Sequence, residues 1–298
     1  MFGDAMNKIT EYSDVKFEEI KNNIKTYSES LLLNGVIVFK KLFASEDEQK
    51  QLAVLFGNHS GWVPNDSQAV VNGLRYQENH ELSIKLKENS TEESDGILIP
   101  WHLENPYATD PEIGALWNNI NFKCDPKFGK TGFVDMRKVY KLLPNSVWRD
   151  LVNKSEWRFP WLERVKPIVE KHRVTNEKIL RYDATHFYLI ENFVNGIDPS
   201  SAEIETFKEI FNWVINQIKT NEDIQQWHEW DEGDMVIVDL QVSCHCVTDG
   251  FLSTEREFIG YWCFAKNVRD EEREKESLLL TKTLTSMVGM EDPNKDFY

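Results

Sequence analysis

Strand-like segments fill the middle and the end of the chain, and helices do not alternate with them. The clearest of these segments read IGALWNNINFK, TGFVDM, DMVIVDLQVSC and REFIGYWCFAK. A parallel sheet needs a crossover, usually a helix, between successive strands, and that alternation is missing here. The pattern predicts a single domain over residues 1–298 that is mainly β with flanking helices, as an antiparallel barrel or a jelly roll.

Helical periodicity marks the flanking segments. Apolar residues recur at helical spacing from Asp14, a candidate N-cap, to about Leu33, and Asn34-Gly35 ends this segment. Further helices are predicted in SEDEQKQLAVLFG, DMRKVYKLLP and NSVWRDLVNK, and after the capping box Ser200-x-x-Glu203. Residues 58–96 are polar and are predicted to form loops with short strands around AVVNGL, a candidate mobile lid. A charged helical tail is expected around residues 268–290.

The acidity of the chain limits its partners. The net charge of −16 and the pI of about 5.0 argue against general nucleic-acid binding, which needs a basic surface. The sequence contains neither an apolar run of membrane-spanning length nor the features of a signal peptide. We therefore expect a soluble, cytoplasmic protein that acts on a small molecule, with no membrane or nucleic-acid partner. The sequence is compatible with a homo-oligomer but does not specify one.

Cysteine spacing does not indicate a zinc-finger or redox motif. The chain has four cysteines, namely Cys124, Cys244, Cys246 and Cys263. In an extended strand, Cys244 and Cys246 point to one face and His245 to the other, so these three residues cannot chelate an ion together. We interpret the cysteines as free and packed, in a reducing compartment.

The stretch IPWHLENPY places His102 and Glu104 two positions apart between two prolines. The prolines disfavour a helix, and in an extended chain both side chains project from the same face. The pair could therefore converge on one metal ion, although two exposed polar residues on a surface strand would show the same spacing. His245, after the apolar run of DMVIVDLQVSC, is the best candidate for a third ligand.

Two histidines and one carboxylate suit either of two metals. The set is typical of non-haem Fe(II) oxygenases, and zinc hydrolases use two His and one Glu as well. Arg256 lies on REFIGYWCFAK, a strand predicted to pair beside the one carrying His245. Its guanidinium could hold the far carboxylate of a keto-acid that chelates iron. The alternative is a surface arginine paired with Glu255 or Glu257.

The chain resembles the taurine-dioxygenase (TauD/TfdA-like) and clavaminate-synthase-like group of Fe(II)/2-oxoglutarate oxygenases. The resemblance runs from NGVIVFKKLF through WHLENPYATDPEIGALW and GKTGFVDMRKVYKLLP to WDEGDMVIVDLQVSCHCVTDG and REFIGYW. It implies a double-stranded β-helix (jelly-roll) core, and Fe(II), the co-substrate 2-oxoglutarate and O2 as cofactors. It also implies that His102, Glu104 and His245 hold the iron, and that Thr131 and Arg256 bind the distal carboxylate of 2-oxoglutarate.

The resemblance also implies a reaction and a substrate class. The expected reaction oxidises an unactivated C–H bond of a small molecule, by default to a hydroxyl, and releases succinate and CO2. Glu104 stands where taurine dioxygenases usually have Asp, and Glu is more typical of the branch that acts on amino acids and their derivatives. Gly260 occupies the position of the arginine that holds the sulfonate in taurine dioxygenase.

Several alternatives remain open at this level. A sulfonate or a betaine is an alternative substrate, and a zinc hydrolase or an inactive jelly-roll binding protein is an alternative function. The candidate substrate-contacting residues are Trp62, Arg75, Tyr76 and His186, each of which packing or loop structure would explain as well.

Overall fold

The computed structural model describes residues 9–64, 97–104, 106, 111–123, 125, 127–159, 164–181, 201–248 and 256–264. Most of the predicted lid, with Arg75 and Tyr76, lies outside the described residues. So do His186 and the predicted tail at 268–290.

The described part of the chain contains helices and strands in the following positions. The helices are α1 (Phe17–Asn22), α2 (Ile24–Asn34), α3 (Glu46–Ser60), α4 (Met136–Leu142), α5 (Ser146–Lys154) and α6 (Ser201–Thr220). The strands are β1 (Thr10–Tyr12), β2 (Val36–Phe39), β3 (Val63–Pro64), β4 (Ile97–His102), β5 (Glu112–Phe122), β6 (Thr131–Asp135), β7 (Glu156–Phe159), β8 (Arg164–Pro167), β9 (Val169–Lys171), β10 (Lys178–Leu180), β11 (Gln225–His228), β12 (Met235–Val238), β13 (Ser243–Thr248) and β14 (Arg256–Phe264). None of the described helices is long and apolar enough to cross a membrane.

Two larger sheets carry the fold. A six-stranded sheet has the order β1-β2-β12-β5-β14-β3, and a four-stranded sheet has the order β11-β6-β13-β4. β1 pairs with β2 in parallel, whereas the other pairs within these two sheets are antiparallel. The hairpin-like pairs β7–β8 and β9–β10 stand apart from them. The architecture is therefore two mainly antiparallel sheets with helices around them.

The buried residues form three layers. A central cluster joins the inner faces of the two sheets, and its members include Val38, Ala115, Phe133, Trp230, Val236 and Phe258. A second cluster packs α1, α2 and α3 against the outer face of the six-stranded sheet. A third packs α4, α5 and α6 against the outer face of the four-stranded sheet. The helices thus cover the outside, and the space between the sheets is left for aromatic side chains and a site.

Local sequence signals explain several element ends. Ser45 and Glu48 form a capping box at the start of α3, which confirms the predicted helix start. Gly35 ends α2 with φ of 77°, a left-handed conformation that favours glycine. Asp135 and Asn145 cap α4 and α5 through their side chains, and Asp135 was expected to do so.

Three sequence predictions were wrong. The first predicted helix is two helices separated at Asn23, and it begins after Lys16, because Asp14 takes a positive φ of 60° and cannot serve as the cap. DMVIVDLQVSC is two strands, because a turn at residues 239–242 separates β12 from β13. The predicted lid cannot begin at residue 58, since α3 continues to Ser60.

Candidate metal centre

His102 and His245, two members of the predicted metal triad, lie opposite each other on two paired strands. His102 is the last residue of β4, and its backbone is directly opposite His245 of β13. Trp101 and Leu103 are buried in the outer core of the four-stranded sheet. Because side chains alternate along an extended chain, His102 and Glu104 are directed away from that core. The predicted common face of His102 and Glu104 is therefore consistent with the packing of their neighbours.

The side chains of the triad converge on one carboxylate oxygen. The Glu104 Oε2 atom lies 3.5 Å from His245 Nε2 and 3.8 Å from His102 Nε2. The two imidazole rings are 4.1 Å apart between centroids. One potential ligand atom from each residue lies within 4.8 Å of the others. Two ligands on an ion at about 2.1 Å each can be at most about 4.2 Å apart, so the Glu–His spacings fit a shared ion.

The chemistry of the donors also fits a metal ion. Both nitrogen–oxygen separations are longer than the 2.7–3.2 Å typical of an N–H···O hydrogen bond. His245 is 4% exposed, and its Nδ1 atom is buried with no hydrogen-bond partner in the described part of the chain. His102 and Glu104 are partly exposed, with 21% and 23% of their side-chain surfaces accessible. The centre is thus firmly held on one side and open to a ligand on the other.

Aromatic rings from both sheets surround His245. Trp117 of β5 lies 5.3 Å from the His245 ring, and Phe133 of β6 lies 6.4 Å from it. Trp117 and Phe133 stack on each other at 6.1 Å. Sequence reasoning missed both rings, although their alternation with apolar neighbours in IGALWNN and TGFVDM was a usable signal. The two rings form an aromatic surface beside the candidate ligands.

Thr131 lies on the inner side of the same sheet. It is the first residue of β6, where its backbone faces Val247 of β13, two residues beyond His245. Its side chain is 2% exposed, and its Oγ1 atom accepts a hydrogen bond of 2.9 Å from Trp230 Nε1. The structure therefore places Thr131 in the layer that contains His245.

Arg256 is placed through its backbone only, since its side chain lies outside the described residues. It begins β14, where it pairs with Phe122 of β5. The predicted pairing of this strand beside the one that carries His245 was wrong, because β14 belongs to the six-stranded sheet and β13 to the four-stranded sheet. Two residues further on, Phe258 contacts the Trp230 ring at 4.6 Å. The strand that begins at Arg256 thus contacts, through Phe258, the indole that donates a hydrogen bond to Thr131.

Trp62, one of the candidate substrate residues, does not lie at this centre. Trp62 is 4% exposed and belongs to the cluster on the outer face of the six-stranded sheet. Its ring covers Gly114, where an added Cβ atom would lie only 2.3 Å from it. The prediction of a substrate contact for Trp62 finds no support in this position. Arg75, Tyr76 and His186 lie outside the described residues.

A buried charged cluster lies behind Trp230. The Asp234 Oδ2 atom accepts a 2.6 Å hydrogen bond from Lys40 Nζ and lies 3.3 Å from His228 Nε2. Burial alone would raise the pKa of the Asp234 carboxyl, but His228, Lys40 and backbone N–H groups outweigh it and lower the pKa. Burial would lower the pKa of Lys40, and the carboxylates of Asp234 and Asp231 reverse that effect. This cluster was not found from the sequence.

Comparison with known proteins identifies the family. The sequence profile of the taurine catabolism dioxygenase TauD, TfdA family matches residues 7–262. No curated protein matches the chain significantly. Among solved structures, a taurine dioxygenase from Burkholderia xenovorans is 15% identical, with a TM-score of 0.58 over 87% of this chain and 88% of that one.

A second solved structure shares the same fold. It is AAD-2 in complex with Mn(II) and N-oxalylglycine, 14% identical, with a TM-score of 0.60 over 87% of this chain and 94% of that one. Identities this low establish a common fold, and the family rests on the profile match over most of the chain. The chain belongs to the TauD, TfdA family and is a 2-oxoglutarate-dependent non-haem iron dioxygenase, with Fe(II), 2-oxoglutarate and O2 as its cofactors.

Proposed function

We propose that the protein hydroxylates an unactivated C–H bond of a small molecule, with an amino acid or an amino-acid derivative as the substrate class. In the balanced reaction, substrate, 2-oxoglutarate and O2 give hydroxylated substrate, succinate and CO2. The observation that carries the proposal is the convergence of His102, His245 and Glu104 on one point, at 3.5 and 3.8 Å from a single carboxylate oxygen.

In this proposal the two facing sheets form the double-stranded β-helix (jelly roll). The support is the central cluster, which contains side chains from both sheets. The stacking of Trp117 on Phe133 joins β5 of one sheet to β6 of the other. Such a sandwich holds residues on rigid strands, which positions ligands more firmly than loops do.

His102, Glu104 and His245 hold the iron in this account. Fe(II) bound there would activate O2, the oxidant of the reaction, for the oxidation of 2-oxoglutarate and of the substrate C–H bond. The protein side chains bind and orient the reactants. The burial of His245 beside Trp117 and Phe133 keeps water from one side of the centre. The partial exposure of His102 and Glu104 leaves a side from which small molecules enter.

Thr131 and Arg256 bind the distal carboxylate of 2-oxoglutarate in the same account. Thr131 contributes a buried hydroxyl from the four-stranded sheet. Arg256 contributes a guanidinium from the first residue of β14, which lies in the opposite sheet. A carboxylate between them would receive hydrogen bonds from both sheets, and the charged one is the stronger.

The surroundings of Gly260 argue against a sulfonate as the substrate. A Cβ atom at this position would lie 2.6 Å from the Trp262 ring and 3.5 Å from Trp117. The indole of Trp262 therefore occupies the space that a long cationic side chain at residue 260 would need. An aromatic surface beside the centre suits the carbon skeleton of a substrate better than a sulfonate group, which calls for a positive charge.

The proposal is tested by succinate release on a panel of free amino acids, carrier-tethered amino acids, betaines and sulfonates. We expect release that requires Fe(II), 2-oxoglutarate and O2 and rises with one of the amino-acid groups. Stimulation by a sulfonate or a betaine alone would overturn the substrate class. His172→Gln is a suitable control, because His172 is a buried histidine paired with Asp239 at 2.9 Å, outside the triad.

A further inference from the structure

Trp230 links the two proposed partners of the co-substrate carboxylate. Its Nε1–H group donates to Thr131 Oγ1 at 2.9 Å. Its ring makes an edge contact, 4.6 Å between centroids, with Phe258, which lies two residues after Arg256. Trp230 and Thr131 are 1% and 2% exposed, so water does not compete for this hydrogen bond. One buried indole therefore contacts Thr131 directly and contacts the strand that begins at Arg256.

The hydrogen bond from Trp230 restricts what the Thr131 hydroxyl can do. A threonine hydroxyl offers one donor hydrogen and two acceptor lone pairs, and an indole N–H only donates. Because Trp230 occupies one lone pair, the hydroxyl hydrogen must lie in one of the remaining directions around the oxygen. The hydroxyl is thus prepared to donate to an acceptor, and an ionised carboxylate is acceptor-only.

We propose that Trp230 is a positioning residue that orients the Thr131 hydroxyl as a donor to the distal carboxylate of 2-oxoglutarate. This inference rests on the proposed function of Thr131. Trp230 acts through Thr131 and does not itself touch the co-substrate.

The packing around Trp230 is rigid enough for this role. The ring of His228 makes an edge contact with Trp230 at 4.6 Å and is fully buried. His228 lies 3.3 Å from Asp234, which Lys40 and the backbone N–H of Asp231 also hold. The indole therefore lies between Phe258 and a fixed polar cluster. A donor that is already oriented loses less entropy when its ligand binds.

The test measures co-substrate binding under anaerobic conditions. The Fe(II)-loaded protein is titrated with 2-oxoglutarate, and the visible charge-transfer band gives the dissociation constant. Trp230→Phe removes the N–H donor and keeps a ring, so we expect roughly 2- to 10-fold weaker binding of 2-oxoglutarate. The same titration with 2-oxobutyrate, which lacks the distal carboxylate, should give equal dissociation constants for the parent and Trp230→Phe.

Trp157→Phe is a matched control. Trp157 is also buried and donates from its indole Nε1, at 2.7 Å to the carbonyl oxygen of Arg181, but it belongs to the outer cluster of the four-stranded sheet. It should leave the affinity for 2-oxoglutarate unchanged. If Trp230→Phe does not fold, benzothienylalanine at position 230 keeps the shape of the indole without the N–H group. The expected loss is the same.

The possible results separate the two proposals. A loss confined to 2-oxoglutarate, and absent when Thr131→Val is already present, supports the positioning role. Equal losses with 2-oxoglutarate and 2-oxobutyrate, or no loss with either, overturn it while leaving the proposed function intact. A parent protein that shows no band with Fe(II) and 2-oxoglutarate refutes both.

Discussion

The metal triad and the cluster around Asp234 contain the same kinds of side chains, but these side chains differ in burial and in the distances to their partners. Each combines histidine with a carboxylate between or beside the two sheets. In the cluster, His228 and Asp234 are fully buried, and Lys40 closes the contact at 2.6 Å. In the triad, two imidazoles approach Glu104 at 3.5 and 3.8 Å, and Glu104 is partly exposed. The residue types of a cluster therefore do not by themselves identify a metal centre. Convergence of the ligand atoms, together with their access to solvent, does.

Removing a ligand should produce the largest effect and separate the two regions most sharply. His245→Ala should lower the affinity for Fe(II) by more than the roughly 100-fold that loss of an outer-shell partner can cost. Iron content after dialysis and succinate release measure the effect. The control is His172→Gln, which removes another buried histidine and should lower the melting temperature while retaining iron. Iron retained by His245→Ala would exclude His245 as a ligand.

The second largest effect should come from the buried cluster. Asp234→Asn removes the buried carboxylate that Lys40 contacts, while Asp231 stays 3.1 Å from Lys40. We therefore expect a loss of unfolding free energy below the roughly 3–5 kcal/mol that breaking a fully buried ion pair costs. Chemical denaturation measures that loss. Affinity for Fe(II) should stay unchanged, because Asp234 is not part of the triad. If Asp234→Asn lost iron without losing stability, Asp234 would belong to the metal centre, and the distinction between the two regions would be wrong.

The same carboxylate gives a pH dependence with a definite sign. The pKa of Asp234 is lowered below its ordinary value of 3.8. Its contribution to stability is therefore fully present above that value and is lost as the pH falls through the lowered pKa. The stability difference between the parent and Asp234→Asn should be constant near neutral pH and shrink in acid below pH 3.8. A difference that grew on acidification would contradict the assignment.

A smaller effect is expected at Gly260, where the Trp262 ring lies close to the backbone. Gly260→Ala puts a Cβ atom 2.6 Å from the Trp262 ring, so the ring must move. Overpacking of this kind costs about 1–3 kcal/mol. The loss of stability and a change in tryptophan fluorescence measure it, and the affinity for Fe(II) should be unaffected. An unchanged fluorescence spectrum would show that Trp262 does not lie over residue 260.

The smallest effect concerns a cysteine in the outer core. Burial raises the pKa of the Cys263 thiol to about 12. The reactive thiolate is therefore scarce near neutral pH. Cys263 should resist alkylation by iodoacetamide in the folded protein and react after denaturation, as peptide mass spectrometry would show. Rapid labelling of Cys263 in the native state would place it outside the core.

The sequence predicted best where one short pattern determines one local structure. The two-residue spacing of His102 and Glu104 between prolines indicated their common face, and the serine that begins SEDEQKQLAVLFG indicated the start of α3. Their strand partner, the backbone of His245, was not derivable from spacing, because register depends on residues far apart in the chain.

The failures also have physical causes. The turn between β12 and β13 contains Leu240 and Val242, which are fully buried, so its apolar side chains read as a continuous strand. Asp239 was the available signal of a break. The pairing of β14 with β5 rather than β13 is a question of topology that no local pattern encodes. The cluster around Asp234 was not predicted, because burial of its charge depends on a partner, Lys40, that lies 194 positions away.

The most direct test of the account is the anaerobic visible spectrum of the protein with Fe(II) and 2-oxoglutarate. The parent should bind stoichiometric Fe(II) and develop a weak charge-transfer band when 2-oxoglutarate chelates the metal. Arg256→Ala should lose the band at the same co-substrate concentration while keeping its iron. A parent protein that binds Fe(II) without developing the band would contradict the claim that His102, Glu104 and His245 form a 2-oxoglutarate-dependent iron centre.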